Sequence, residues 1–116
     1  MRRIFQALLL TPLALTACEA PPQPLTPAQS AALKPRDVRL AQLYETSCKA
    51  CHTVADSGAP LAGDRSKWDP RWAKGEDVLL TNAQTGFAAM PAGGQCFTCS
   101  PDDLRALIRF MAGREK

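Results

Sequence analysis

Apolar residues in this chain recur at helical intervals, and no stretch alternates convincingly between apolar and polar. In "RDVRLAQLYETSC", Leu40, Leu43, Tyr44 and Ser47 stand three and four apart. They share one face of a helix that runs straight into Cys48. "SPDDLRALIRFMAG" carries the clearest helical pattern, with Leu104, Leu107, Ile108 and Met111 as its apolar stripe. Ser100 suits its N-cap, Pro101 its first turn, Asp102 and Asp103 the positive end of its dipole, and Gly113 its stop. "GEDVLLTNAQTG" predicts a shorter helix from about Glu76, ending at Gly86. The predicted fold class is all-α.

Two N-terminal stretches stand outside this pattern. Arg2 and Arg3 precede a mostly apolar run from Ile4 to Ala17, followed by Cys18. A positive start and a short apolar run are the marks of an export signal, and the run is shorter than the roughly 20 apolar residues of a spanning helix. Residues 18–35 hold Pro21, Pro22, Pro24, Pro27 and Pro35 among small and polar residues. That composition predicts a solvated tether rising about 3.1 Å per residue where it is polyproline-like, roughly 50 Å in all. "TPAQ", Thr26 to Gln29, is a capping-box pattern that would interrupt it with a helical turn. Residues 36–116 are then one small domain, in a size range where a staple or cofactor commonly adds stability.

Charge narrows the partners. The formal net charge of the 116 residues is +3. Removing a signal peptide of residues 1–17 takes Arg2 and Arg3 with it and leaves the domain near neutral. Such a chain has no field to draw it to nucleic acid.

Export also makes the five cysteines informative. An odd count in an oxidising compartment calls for a reason. "LTAC", Leu15 to Cys18, resembles the lipobox of bacterial lipoproteins, in which the peptide is cut before the cysteine and the thiol is lipidated. With Cys18 so used, four cysteines remain as two C-x-x-C pairs, Cys48/Cys51 and Cys96/Cys99. An ordinary secretory signal with a buried or free Cys18 is the alternative.

The first pair lies in "CKACH". C-x-x-C-H is the attachment pattern for c-type haem: two thiols add across the two vinyl groups, and the next residue, His52, becomes the proximal iron ligand. A thioredoxin-like dithiol would need a βαβ surround, which the helical pattern lacks. A zinc ribbon would pair the two C-x-x-C knuckles, but Cys51 and Cys96 lie much farther apart than the ~15–20 residues usual for such sites. His52 is the one histidine of the chain, so a second axial histidine from the same chain is excluded. Met1 leaves with the signal and Met111 belongs to an apolar helical stripe. Met90 remains, in the loop "MPAGG", where Pro91 stiffens the chain and Gly93 and Gly94 allow a close turn. An open sixth position, as in a haem sensor or enzyme, is the alternative to Met90 ligation.

Taken in order, "CKACH", "GAPLAGD", "WDPRWAKG", "TGFAAMP" and "CFTCSPDDLRALIRFM" resemble class I cytochromes c, specifically the bacterial cytochrome c5 group, over about Val38 to Ala112. The resemblance implies a small monohaem fold in which N- and C-terminal helices cross and one haem edge is exposed. It implies that the Pro60 carbonyl accepts from the ring N–H of His52. It also implies that Trp68 lies near the haem as a propionate contact, with Trp72 read as core. Cys96 and Cys99, left unclaimed in an oxidising compartment, are expected to form a disulfide, as in cytochrome c5 relatives. A free dithiol is the other reading. Ala59, Leu61, Phe87 and Ala88 are the candidates for an exposed haem edge. The chain departs from many relatives in having Leu40 for a glycine in the first helix and Ala55 for a glycine after the haem histidine. The implied function is electron carriage, not enzymatic turnover, between redox proteins of a respiratory chain. The carrier would be lipid-anchored to a bacterial membrane and face the periplasm. A zinc-thiolate lipoprotein is the remaining alternative.

Overall fold

The computed structural model describes residues 20–115. The expected signal peptide (1–17) and lipidation site (Cys18) lie outside them. Among the described residues there is no β-strand, and no helix is long and apolar enough to cross a membrane. These residues form six α-helices: α1 (Pro27–Ala31), α2 (Val38–Leu43), α3 (Lys49–His52), α4 (Arg65–Trp72), α5 (Glu76–Thr85) and α6 (Pro101–Met111). A π turn, Tyr44–Cys48, joins α2 to α3. The chain therefore stays helical from Val38 to His52, and the C-x-x-C-H motif sits on the end of that helix.

α6 forms for the reasons its sequence predicts. Ser100 Oγ accepts the Asp103 N–H, and the Asp103 carboxylate accepts the Ser100 N–H, a reciprocal cap at the N-terminus. Its stripe of Leu104, Leu107, Ile108 and Met111 is buried, and Phe110 joins it. Burial of a side chain such as Leu107 contributes roughly 1.5–3 kcal/mol. One cluster centres on Tyr44, Trp68, Leu107, Phe110 and Met111, and a second on Leu80, Ala83, Leu104 and Ile108. α6 serves both, because one side meets α2 and the other meets α5. Met111 is a core residue.

α2 meets α6 through the edge-on rings of Tyr44 and Phe110, whose centroids are 4.8 Å apart. Arg39 grips Asp103 with two hydrogen bonds, 2.6 and 2.8 Å. Leu40 is half-buried and packs on the first cluster. The Tyr44 hydroxyl is buried without a hydrogen-bond partner among the described residues, and burial pushes its pKa up to about 12.

Two features differ from the sequence expectations. α4 was not legible in the apolar pattern: its residues are mostly polar and Pro70 lies inside it. It forms because Asp64 caps it, accepting the Ser66 N–H at 3.1 Å, and because Trp68 anchors it in the core. The segment expected as a solvated tether is solvated only in part. Thr26 and Gln29 do form the predicted capping box of α1. Beyond it, Ser30 and Pro35 are buried against the domain, so apolar contact and hydrogen bonding hold this part down.

Candidate haem site

The π turn and α3 deliver Cys48, Cys51 and His52 to one wall of a cavity of about 290 Å³. π turns often occur at functional positions, because the extra residue changes where the following side chains point. Here the Lys49 N–H bonds back to the Tyr44 carbonyl, five residues earlier. Ser47 Oγ bonds to the Leu43 carbonyl. Both cysteines are free thiols, Cys48 buried and Cys51 exposed. Burial pushes the Cys48 thiol above its ordinary pKa.

His52 is buried, and its Nδ1 lies 2.8 Å from the Pro60 carbonyl oxygen. A carbonyl only accepts, so Nδ1 carries the proton and Nε2 is left as the nitrogen able to bind a metal. Burial pushes the imidazole below its usual pKa. The Pro60 bond acts the other way, and nearby Arg71 adds to the lowering. The ring is neutral at neutral pH, the form that coordinates iron. The His52 carbonyl accepts the Ala62 N–H at 2.7 Å, so the loop returns to the same residue twice.

Met90 lines the same cavity from a different part of the chain. Phe87 and Met90 exchange two backbone hydrogen bonds, 3.0 and 2.9 Å, across a tight turn with Ala88 in the left-handed region at φ 51°. After Pro91, a 3₁₀ turn (Ala92–Gln95) folds back beneath the methionine. A Cβ on Gly94 would lie 3.0 Å from Met90 Cε, so the glycine makes room for the side chain. Cys96 and Cys99 form a disulfide with Cα atoms 5.4 Å apart, directly before the Ser100 cap.

The structure thus brings Cys48, Cys51, His52, Pro60 and Met90 to one cavity. Trp68, expected as a propionate contact, lies beside His52. Its one N–H donates to the Leu61 carbonyl at 2.9 Å, and its ring lies against His52, centroids 5.8 Å apart and planes inclined by 29°. It packs the histidine. Trp72 is a half-buried core residue with the Arg114 guanidinium 5.6 Å from its ring centroid. Ala59, Phe87 and Ala88 line the cavity, but Leu61 does not. Arg71 lines it and was missed in the sequence, because it belongs to α4, which had no apolar pattern to reveal it. Ser30, behind His52, was also missed.

The residues present fit a covalently bound haem. Two free thiols, a neutral imidazole with Nε2 available, and a thioether cradled by Gly94 face one largely apolar cavity. Among the described residues no cluster of three or more His, Cys, Asp and Glu forms a metal site of another kind. Zinc-knuckle pairing also fails, since Cys96 and Cys99 are bonded to each other.

Known proteins agree with this chemistry. The family model described as "Cytochrome C oxidase, cbb3-type, subunit III" matches residues 35–111. Cytochrome c5 of Ectopseudomonas mendocina is 43% identical over 68 residues, covering 57% of this chain and 78% of that protein. Cytochrome c5 of Azotobacter vinelandii is 44% identical over 68 residues, 57% of this chain and 82% of its own. Cytochrome c-555 of Chlorobaculum thiosulfatiphilum is 32% identical over 77 residues, 63% of this chain and 90% of its own. A chain in the crystal structure of an electron transfer complex of nitrite reductase with cytochrome c superposes with a TM-score of 0.60 at 32% identity. That match covers 69% of this chain and 98% of the other. The chain belongs to the cytochrome c family, in the domain family of that subunit III model and near cytochromes c5 and c-555, and it carries one covalently bound c-type haem.

Proposed function

We propose that this protein is a periplasmic, lipid-anchored electron carrier whose haem iron is held by His52 and Met90 and which catalyses no reaction of its own. The observation that carries the reading is that Cys48, Cys51, His52 and Met90, distant in sequence, line one cavity. Cys48 and Cys51 attach the cofactor by adding each S–H across a vinyl C=C. The sulfur bonds one carbon and the hydrogen the other, with no oxidant needed. Bound haem supplies a one-electron couple at its iron, and every other requirement falls to the chain.

His52 Nδ1–H donates to the Pro60 carbonyl, which fixes the ring orientation and leaves Nε2 as the nitrogen that would hold the iron. Met90 raises the potential relative to a second histidine, and Gly94 gives its thioether the space to approach. Arg71, among the described residues the one Lys, Arg, Asp or Glu side chain lining the cavity, suits the haem carboxylates. Phe87 is 59% exposed at the rim, where an apolar side chain suits brief encounters with redox partners through a small interface. A cytochrome of similar structure has been crystallised in complex with nitrite reductase, which supports docking onto another redox protein as the mode of use.

The test is a visible spectrum and a potentiometric titration of the matured protein and of Met90→Ala. The reduced wild-type protein should resist CO. Met90→Ala should bind CO readily and have a lower midpoint potential. CO binding by the as-isolated reduced wild type would instead assign an open sixth position, as in a sensor or enzyme.

A further inference from the structure

We propose that the N-terminal arm, Leu25 to Leu33, is a positioning element for His52 and acts through the Ser30 hydroxyl; this rests on the haem reading above. Ser30 is fully buried, at 0% exposure, although it lies in a segment whose composition is that of a linker. Its Oγ is 2.8 Å from the Ala62 carbonyl and 3.1 Å from the His52 carbonyl, so one hydroxyl proton is shared between both ends of the loop that holds the histidine. The Ala62 N–H donates to the His52 carbonyl at 2.7 Å, and the Pro60 carbonyl holds the ring of the same residue. Ser30 is thus the outer member of a three-part clamp. Ala62 and Pro60 fix the backbone and ring of His52, and Ser30 ties that pairing to the arm.

The arm is built to present this hydroxyl. α1 has only five residues and would not persist alone in water. The Thr26–Gln29 capping box closes its start, and Leu33 and Leu25 pack where Gly63 lacks a side chain. A Cβ at Gly63 would collide with Leu33 Cδ1. Gly63 is tied in turn to α6, its N–H donating to the Met111 carbonyl at 2.7 Å. Without Ser30 the buried Ala62 carbonyl loses its donor, and the loop on the histidine side opens to water. Water near the iron favours its more highly charged oxidised form, so the potential should fall.

The test uses holoprotein with Ser30→Ala, and Leu33→Ser as a second variant that loosens the arm while leaving the hydroxyl in place. Amide exchange at Ala62 should quicken by about tenfold or more in Ser30→Ala, while the α6 amides keep their wild-type protection. At the wild-type midpoint the ratio of oxidised to reduced protein should rise roughly threefold, a shift of about 28 mV at 59 mV per decade. Leu33→Ser should move both quantities in the same direction. Wild-type exchange at Ala62 and a wild-type potential in both variants would make the arm a passive linker and overturn the proposal. Equal acceleration of all amides would also overturn it, as the mark of general destabilisation. A missing haemochrome spectrum in the wild type would defeat the haem reading, while the Ala62 exchange would still decide whether the arm clamps the loop.

Discussion

Asp103 has three bonds at once. It accepts two from Arg39 across the α2–α6 contact and one from the Ser100 N–H at its own helix start. The Arg39 guanidinium first, and then the Ser100 backbone, hold its carboxyl well below the usual carboxylate range. The Glu76 carboxyl pKa is also lowered, chiefly by its hydrogen bond to Arg109, against desolvation. For Asp69 desolvation is the largest single effect and raises the pKa, and Arg65 and Arg114 together outweigh it. A depressed folded-state pKa means that the unfolded chain takes up the proton first. The contribution of Asp103 is therefore complete above the unfolded value near about 3.9 and fades as pH falls toward the folded one. Urea midpoints of the wild type should drop steeply between about pH 4 and pH 2. Asp103→Asn should start lower at neutral pH and show a flatter acid limb, with Glu76 and Asp69 supplying the slope that remains. An acid limb unchanged by the substitution would remove Asp103 from this role.

At the scale of elements, the stretch from α5 to α6 reads as one device. α5 ends at Gly86, the Phe87–Met90 turn projects the methionine, and the Cys96–Cys99 disulfide precedes the Ser100 cap. Cys99 packs on both core clusters, so the bridge joins the Met90 loop to the start of the most regular helix. Phe97, inside the bridge, is 95% exposed, so the link is made by sulfur and backbone and not by its aromatic ring. Closing so short a loop stabilises by about 2 kcal/mol in the chain-entropy account. Cys96→Ser/Cys99→Ser should lower unfolding free energy in urea by about that amount. Alkylation of the native protein without reductant should leave both cysteines unlabelled. Labelling at both would exclude the bridge.

For the whole molecule, with the lipid anchor proposed at Cys18, the docked arm would shorten the distance at which the domain stands from a membrane. Between a lipidated Cys18 and the start of α1 at Pro27, an extended chain would reach roughly 25 Å, about half the span of a wholly free tether. Cys18→Ser, expressed with the export and haem-attachment machinery, should move haem-containing protein from the membrane fraction into the soluble periplasmic fraction. Retention in the membrane would refute the lipid anchor.

The helical class, α6 and its cap, α5 and the C-x-x-C-H chemistry were legible in the sequence for local reasons. Apolar spacing marks a helix face, a cap needs residues three apart, and thiol addition needs two cysteines beside the ligand. α4 was not legible, since a single buried Trp68 and the Asp64 cap hold it against mostly polar residues and Pro70. The destination of the Trp68 N–H, the place of Arg71 at the cavity and the burial of Ser30 were likewise decided only by tertiary structure. Each depends on a carbonyl or a space supplied by residues far along the chain, such as the Ala62 oxygen 32 positions from Ser30. The sequence determined that the chain carries a covalently bound c-type haem. Only the packed fold determined which groups hold the site residues in place, because a buried donor goes to whatever acceptor the tertiary structure brings within reach.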